Sequence, residues 1–321
     1  MTSLHKIAIV GAGLAGLACA DRLKTGGHEV RLFDKGRGPG GRMSTRRVTI
    51  GDVEVGFDHG AQYFTARDPA FLAQVKAWQK QGLVTPWRAA GEDAWVGTPA
   101  MNAPIANLSA RHKVQFSSRV DGVVRSGSGW RLQGADIAPE TYGAVVIAVP
   151  AEQVSALVID SCPGFALSAK ATPSSPCWTI MVAFDRRLEI EADILRSDGE
   201  VVWAARNSSK PGRAPLETWV VQASADWSLA HRGAGHSEVI VALLTSLRRL
   251  AGQTLPDPVF VQAHSWLYAR SGSNGYGYLW DQMIGIGVCG DWLVGPRVEC
   301  AWLSGNALAR HMISAFEALV P

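Results

Sequence analysis

Ile7-Ala8-Ile9-Val10-Gly11-Ala12-Gly13-Leu14-Ala15-Gly16 is the stretch that decides the architecture of this chain. Four consecutive apolar residues suit a strand buried on both faces of a parallel sheet. Gly11, Gly13 and Gly16 then stand at G-x-G-x-x-G spacing, followed by a helical stretch, Leu17 to Lys24, halted by Gly26-Gly27. A second strand-like run, Glu29-Val30-Arg31-Leu32-Phe33, ends at Asp34. The pattern predicts a strand-helix-strand unit with a right-handed crossover. Gly11 allows the tight turn, Gly13 lets backbone approach a pyrophosphate, and Gly16 lets helix and strand pack closely. The unpaired N–H groups of the helix start, with Ala12, Leu14 and Ala15 in the same turn, offer an anion site. Asp34 falls where a carboxylate accepts hydrogen bonds from ribose hydroxyls.

The segment after Asp34 is a second glycine-rich loop, Lys35-Gly36-Arg37-Gly38-Pro39-Gly40-Gly41-Arg42-Met43. It can fold over the same pyrophosphate from the other side, with Arg42 supplying a fixed fork of donors. An ordinary dehydrogenase has no need of it. Further along, Ala144 to Val149 and Ile284 to Cys289 read as buried strands, and Pro69 to Gln81 as an amphipathic helix. Ser237 to Leu250 reads as a helix with Ser237 as N-cap and Gly252 as its stop. Gly290-Asp291 closes the last buried strand, and a final helix is expected from about Ser304 to Leu319. This order predicts an α/β chain: a discontinuous nucleotide domain over 1–66, 106–165 and 262–321, and a more β-rich substrate domain over 67–105 and 166–261.

Composition narrows the function. The 321 residues are 47% hydrophobic and 18% charged, enough for a large core and incompatible with a disordered chain. A net charge of +3 without a dense basic block gives no indication of a nucleic-acid or membrane partner. No apolar run approaches the ~20 residues needed to span a bilayer. The start runs straight into the first strand, so no leader is expected. Cys19, Cys162, Cys177, Cys289 and Cys300 are scattered without a CxxC pair, which argues against a disulfide framework and a zinc site. A cytoplasmic, reducing compartment is the expectation.

The fingerprint, the Gly-Gly-Arg-Met segment and the late Gly-Asp together resemble the amine-oxidase-type flavoproteins. Three further segments are similar to the renalases, particularly their bacterial branch: Gly56-Phe57-Asp58-His59-Gly60-Ala61-Gln62-Tyr63-Phe64-Thr65, Trp95 to Met101, and Trp203 to Arg213. The departure is Asp34, where a longer Glu is common. The resemblance implies a Rossmann-like FAD-binding domain with an inserted mixed-sheet domain, of amine-oxidase or p-hydroxybenzoate-hydroxylase-like topology. It implies non-covalent FAD contacted by Gly11 to Gly16, Asp34, Lys35, Gly41, Arg42, Met43, His59, Gly60, Ala61, Val120, Gly290, Asp291, Val298, Glu299 and Trp302. Substrate contacts would come from Gln62, Tyr63, Phe64, Trp203, Asn207, Ser208, Lys210 and Arg213.

The implied activity is oxidation of the 1,2- and 1,6-dihydro isomers of NAD(P), with oxygen as acceptor and hydrogen peroxide as product. A dihydronicotinamide aromatises on losing hydride, so no side-chain base or metal is required. Lys210 and Arg213 suit a dinucleotide's phosphates, with solvated loop cations as the plain alternative. Trp203 suits a nicotinamide or adenine ring, with core packing as its alternative. Two other readings share the fold. One is an amine oxidase or desaturase with a different substrate, and the other a binding protein that carries no flavin.

Overall fold

The computed structural model describes residues 5–197 and 199–318. The chain divides into two compact units, one made of Met1–Gly41, Ile105–Ser174 and Ser271–Pro321, the other of Arg42–Pro104 and Ser175–Arg270.

In the first unit, β1 (Lys6–Val10), α1 (Leu14–Thr25) and β2 (Glu29–Phe33) form the expected strand-helix-strand unit, with Ile7 paired to Val30 and Val10 to Phe33 in parallel register. α1 starts three residues earlier than its apolar periodicity suggested, so Gly16 lies inside the helix. The six-stranded sheet runs Leu279–Asp281, Ile286–Val288, Ala144–Ile147, β1, β2, Lys113–Gln115. Its pairs are parallel except at the Leu279–Asp281 edge. Ala8, Val10, Val145, Ile147, Ile286 and Val288 share a core with the helix Ala151–Val158 and with Trp130, Leu132 and Tyr142 of an antiparallel three-stranded piece. Ile7 and Ile9, at the alternate positions, are equally buried, which is why these strands read as continuous apolar runs.

The final helix is Val298–Glu317, six residues longer at its start than expected; Cys300 and Trp302 are buried on it rather than lying in a connecting loop. It lies against α1 so closely that a Cβ on Gly305 would sit 2.0 Å from the Ala15 carbonyl oxygen. Leu319 lies outside the described residues.

The second unit is built on a five-stranded antiparallel sheet in the order Ile194–Arg196, Val201–Arg206, Glu217–Ala223, Ser175–Phe184, Phe260–Arg270. One face buries Trp178, Ile180, Val182, Trp219 and Val221 beneath the helix His236–Ala251, through Val239, Leu243 and Leu247. That helix is capped by Gly235, and Ser237 sits in its first turn instead of at the cap; Gly252 ends it in the left-handed conformation, φ +66°. At one end of the other face, Val55 and Phe57 of the hairpin Arg46–Ile50/Val53–Phe57 cover Met181, Ala183 and Val220. The helix Pro69–Lys80 forms as its periodicity predicts, with Asp68 accepting from Ala70 N and Phe71 N.

Candidate active site

The first unit supplies a nucleotide cradle. Gly11 has φ +103°, a conformation L side chains rarely adopt, and a Cβ there would lie 2.4 Å from the Ala148 carbonyl oxygen. A Cβ on Gly16 would meet the Gly11 carbonyl oxygen at 2.0 Å, so this glycine is demanded by packing. Gly13 differs: a Cβ on it meets nothing within 4 Å, so its side is open for a ligand's approach. Gly13 caps α1 without a side-chain bond, leaving the first-turn N–H donors of Leu14, Ala15 and Gly16 without a side-chain acceptor from the cap. A pyrophosphate fits such a turn.

Asp34 is more occupied than a simple ribose acceptor. Its Oδ2 accepts from Ala12 N at 2.7 Å and its Oδ1 from Gly36 N at 2.6 Å, tying the two glycine loops together. An ionised carboxylate keeps further lone pairs for a ribose. Gly41, φ +53°, brings a would-be Cβ to 3.8 Å of Gly13 Cα, so the second loop returns to the first. Lys35 donates to Gln153 Oε1 at 3.0 Å, while Val120 is buried beside the sheet. Asp291 is buried, and its Oδ2 accepts from Ser271 Oγ at 2.8 Å. The turn before it is fixed by Ser304, whose Oγ accepts from Gly290 N at 3.0 Å and donates to the Gly277 carbonyl at 2.6 Å. Val298 opens the last helix, and Glu299 and Trp302 are buried in its first turns. All five cysteines are free thiols.

The second unit holds the other half of the expected residues. A row crosses its whole sheet in register: Arg196, Trp203, Gln222, Thr179, His264. The segment 59–63 lies along this row. The His59 ring is 4.9 Å from His264 and 5.0 Å from Trp266, and Trp266 Nε1 donates to the His59 carbonyl at 2.9 Å. Gln222 Nε2 donates to the Gly60 carbonyl at 2.8 Å, and Tyr63 stacks on Trp203 at 5.5 Å. Ala61 N donates to the Arg42 carbonyl at 2.9 Å, and a Cβ on Gly60 would lie 2.1 Å from that same oxygen. Met43, the next residue, is buried, whereas Arg42 is half-buried.

Beneath this segment sits an ionic knot. Asp58 is fully buried; its Oδ2 accepts from Arg213 at 2.6 Å and 3.2 Å and from Lys210 Nζ at 3.2 Å. Its Oδ1 accepts from Thr45 Oγ1 at 2.7 Å and Met101 N at 3.0 Å. Burial alone would raise the Asp58 pKa, but Lys210 and Arg213 outweigh it and hold the carboxyl at about 2. Burial lowers Lys210 to about 8, with Asp58 pulling it back up and Arg213 pushing it further down. Its ammonium also lies 5.2 Å from the Trp87 ring.

Several expected substrate contacts are therefore redirected. Lys210 and Arg213 are neither solvated nor turned to phosphates, because a buried carboxylate demands paired cations. Gln62 spends its amide internally: Nε2 donates to the Asp58 carbonyl at 2.5 Å and the Gly60 carbonyl at 3.1 Å, and Oε1 accepts from Lys210 at 3.2 Å. Asn207, fully buried, donates to the Gly56 carbonyl at 2.8 Å and accepts from Asp58 N at 3.2 Å. Ser208 Oγ accepts from Thr218 N at 3.3 Å, and Phe64 is buried against Phe71. Tyr63 and Trp203 remain on the sheet row.

His59 is neutral at ordinary pH: burial first, then the nearby His264 and Arg46, lower its pKa to about 4. Its Nδ1 is buried without a hydrogen-bond partner. Sequence reasoning missed Asp58 as the anchor, and it missed Gln222, His264 and Trp266 entirely. Asp58 had a readable signal, an acid closing an apolar strand, with two cations in the other distinctive motif. The three sheet residues had none, because their meaning lies in cross-strand register.

A glycine cradle with a tied carboxylate and a second glycine loop defines a dinucleotide-binding domain. Residues 9–77 match the NAD(P)-binding Rossmann-like domain, and residues 86–313 match flavin containing amine oxidoreductase. The chain belongs to the flavin-containing amine oxidoreductase family, and its cofactor is FAD. Its fold is similar to a protein assigned as a protoporphyrinogen oxidase from Exiguobacterium sp. 255-15, with TM-score 0.78 at 13% identity, covering 98% of this chain and 100% of that one. It is similar also to putrescine oxidase bound to putrescine, with TM-score 0.73 at 14% identity, over 98% of this chain and 100% of that one. A stretch of 39 residues is 54% identical to 4,4'-diapophytoene desaturase (4,4'-diaponeurosporene-forming) of Staphylococcus aureus strain Newman, covering 12% of this chain and only 8% of that enzyme. Among the described residues no helix is long and apolar enough to cross a membrane, and no group of three His, Cys, Asp or Glu is placed to hold a metal.

Proposed function

We propose that this protein is a renalase-like oxidase that converts the 1,2- and 1,6-dihydro isomers of NAD(P) to NAD(P)+, with oxygen reduced to hydrogen peroxide. The balance is simple: the substrate gives up a hydride, and oxygen takes the two electrons and, with one further proton, leaves as peroxide. FAD when bound supplies the two-electron acceptor between them. Gly11, Gly13, Asp34 and Gly41 would hold its nucleotide, and Asp291 its polar chain.

The observation that carries this reading is the state of Asp58. It is the carboxylate at the segment 59–63, and two cations already neutralise it. An ammonium substrate would want an unspent carboxylate there, and a substrate needing deprotonation would want a base. His59 is too weak a base, with its pKa near 4. Beside the segment the row presents instead rings and one neutral amide, on Trp203, Gln222 and His264 with Tyr63 stacked on Trp203, and its single cation, Arg196, stands at the far edge strand. A dihydronicotinamide asks for no more, since its ring nitrogen pushes the hydride out and the ring becomes aromatic. The protein's work is then orientation and exclusion of water.

The test is anaerobic mixing with each dihydro isomer, following the flavin band near ~450 nm that oxidised flavin supplies. The 1,2- and 1,6-isomers should bleach it rapidly, and ordinary 1,4-NADH slowly at most. Bleaching by putrescine or a catecholamine, with none from the dihydro isomers, would replace this reading with an amine oxidase. A desaturase of the kind the short Staphylococcus match names would respond to neither.

A further inference from the structure

Three buried cations of the second unit are spent on carboxylates. Lys210 and Arg213 are committed to Asp58. Arg206 is fully buried, pairing with Asp193 at 2.5 Å and Glu217 at 3.1 Å while donating to the Leu188 and Ile190 carbonyls. Arg196, at the end of the row, is exposed and has no ion-pair or hydrogen-bond partner among the described residues. It is nevertheless held in place. Its guanidinium carbon lies 4.7 Å from the ring centroid of Trp203, its cross-strand partner, and Tyr63 stacks on that same ring.

A cation–π contact fixes an arginine through its face and leaves its five N–H donors, which lie in the guanidinium plane, unspent. That is the arrangement suited to a phosphoryl oxyanion, which takes two parallel N–H bonds from such a fork. The ring beneath adds a second sign of an incomplete site. Trp203 Nε1 is buried with no hydrogen-bond partner among the described residues, a donor a polar ligand atom can satisfy.

We infer that Arg196 is the residue that reads phosphate in the substrate, holding a phosphoryl group of the dinucleotide beside the Tyr63–Trp203 stack. The inference rests on the dihydronicotinamide reading for its substrate class. It replaces Lys210 and Arg213 in the role the sequence suggested for them. The pyrophosphate and a 2′-phosphate offer the same oxyanion chemistry, and the choice between them is an outcome of the test.

The experiment compares wild-type holoenzyme with Arg196→Gln and Arg196→Lys. Calorimetric titration with NAD+ and with NADP+ gives binding without turnover. KM values for the dihydro forms of NAD, NADP and nicotinamide mononucleotide give the position read. Losing a charge-assisted bidentate contact should weaken binding roughly ten- to a hundredfold in Arg196→Gln. Arg196→Lys should recover only part, because it keeps the charge and loses the fork. Flavin content and the thermal midpoint should stay at wild-type values, as the side chain is exposed. Weakening confined to NADP+ assigns the 2′-phosphate; equal weakening of NAD+ and NADP+ assigns the backbone phosphates, and the mononucleotide then tells which half. Unchanged binding of both nucleotides in Arg196→Gln, or no binding of either to the wild type, overturns the inference. A flavin that no dihydro isomer bleaches, with NADP+ binding still sensitive to Arg196, would instead overturn the proposed reaction and leave this site standing.

Discussion

Asp58→Asn is the substitution that tests the site's foundation. The side chain keeps its shape and loses its charge, so Lys210 and Arg213 are left facing each other around a neutral amide, both essentially without solvent. Removing one partner of a buried ion pair costs about 3–5 kcal/mol, most of it the stranded charge. Here two charges are stranded, but one has an exit. Burial has already brought Lys210 to about 8, and loss of Asp58 removes the group pulling it back up. Lys210 should therefore shed its proton in the variant near neutral pH, holding the cost towards the lower end of that range. At about 2–4 °C per kcal/mol for a domain of this size, the melting temperature should fall by ~10 °C around neutral pH.

The pH dependence carries a definite sign. Lys210 has a folded pKa below its ordinary 10.5, so the unfolded chain binds more protons between about 8 and 10.5. Its contribution to stability thus rises with pH across that window, and in the variant the rise begins lower. Thermal unfolding followed by circular dichroism at several pH values measures both effects. The double variant Asp58→Asn, Lys210→Met leaves one stranded cation and should recover part of the loss. A single variant melting within about 2 °C of wild type at every pH would mean that water solvates these charges, and the argument from burial would be wrong.

Other expectations follow from single positions. Gly13→Val should fold with a wild-type circular dichroism spectrum and purify with little flavin, since its Cβ meets open space. Gly16→Ala should instead lose stability, because its Cβ would lie 2.0 Å from the Gly11 carbonyl oxygen; the two variants separate a ligand requirement from a packing requirement by absorbance and melting. Acid stability should include a His59 component: its folded pKa of about 4 lies below the usual 6.5, so stability is lost as pH falls between those values, and His59→Gln should flatten that stretch of the stability curve by at most ~1.4 kcal/mol per pH unit. Acid precipitation should release the yellow colour into the supernatant, since no local motif for a cysteine bond to flavin is present; colour kept in the pellet would contradict non-covalent FAD.

What the sequence revealed and what it hid divide along a physical line. The strand-helix-strand unit was legible because each part is local: an apolar run, a glycine turn with the required φ at Gly11, and an acid at the next strand end. The helix Pro69–Lys80 was legible for the same reason, its apolar period and cap lying within a dozen residues. The last helix was misjudged at its start because Val298 to Leu303 carries no cap signal; Arg297 precedes it, and no side-chain bond closes the turn. The site in the second unit was legible only in part. Its motifs could be singled out, but assigning Lys210 and Arg213 to phosphate assumed that loop cations face solvent. That assumption fails where a strand ends in a buried acid. Asp58 and Lys210 are 152 residues apart, and no local periodicity reports that they meet. Once they do, Arg196 is the cation beside the aromatic stack that has no ion-pair partner among the described residues, on an edge strand of only three residues that no pattern marked. Charge that the core consumes cannot also recognise a ligand, so the buried ion pairs must be found before the binding residues can be named.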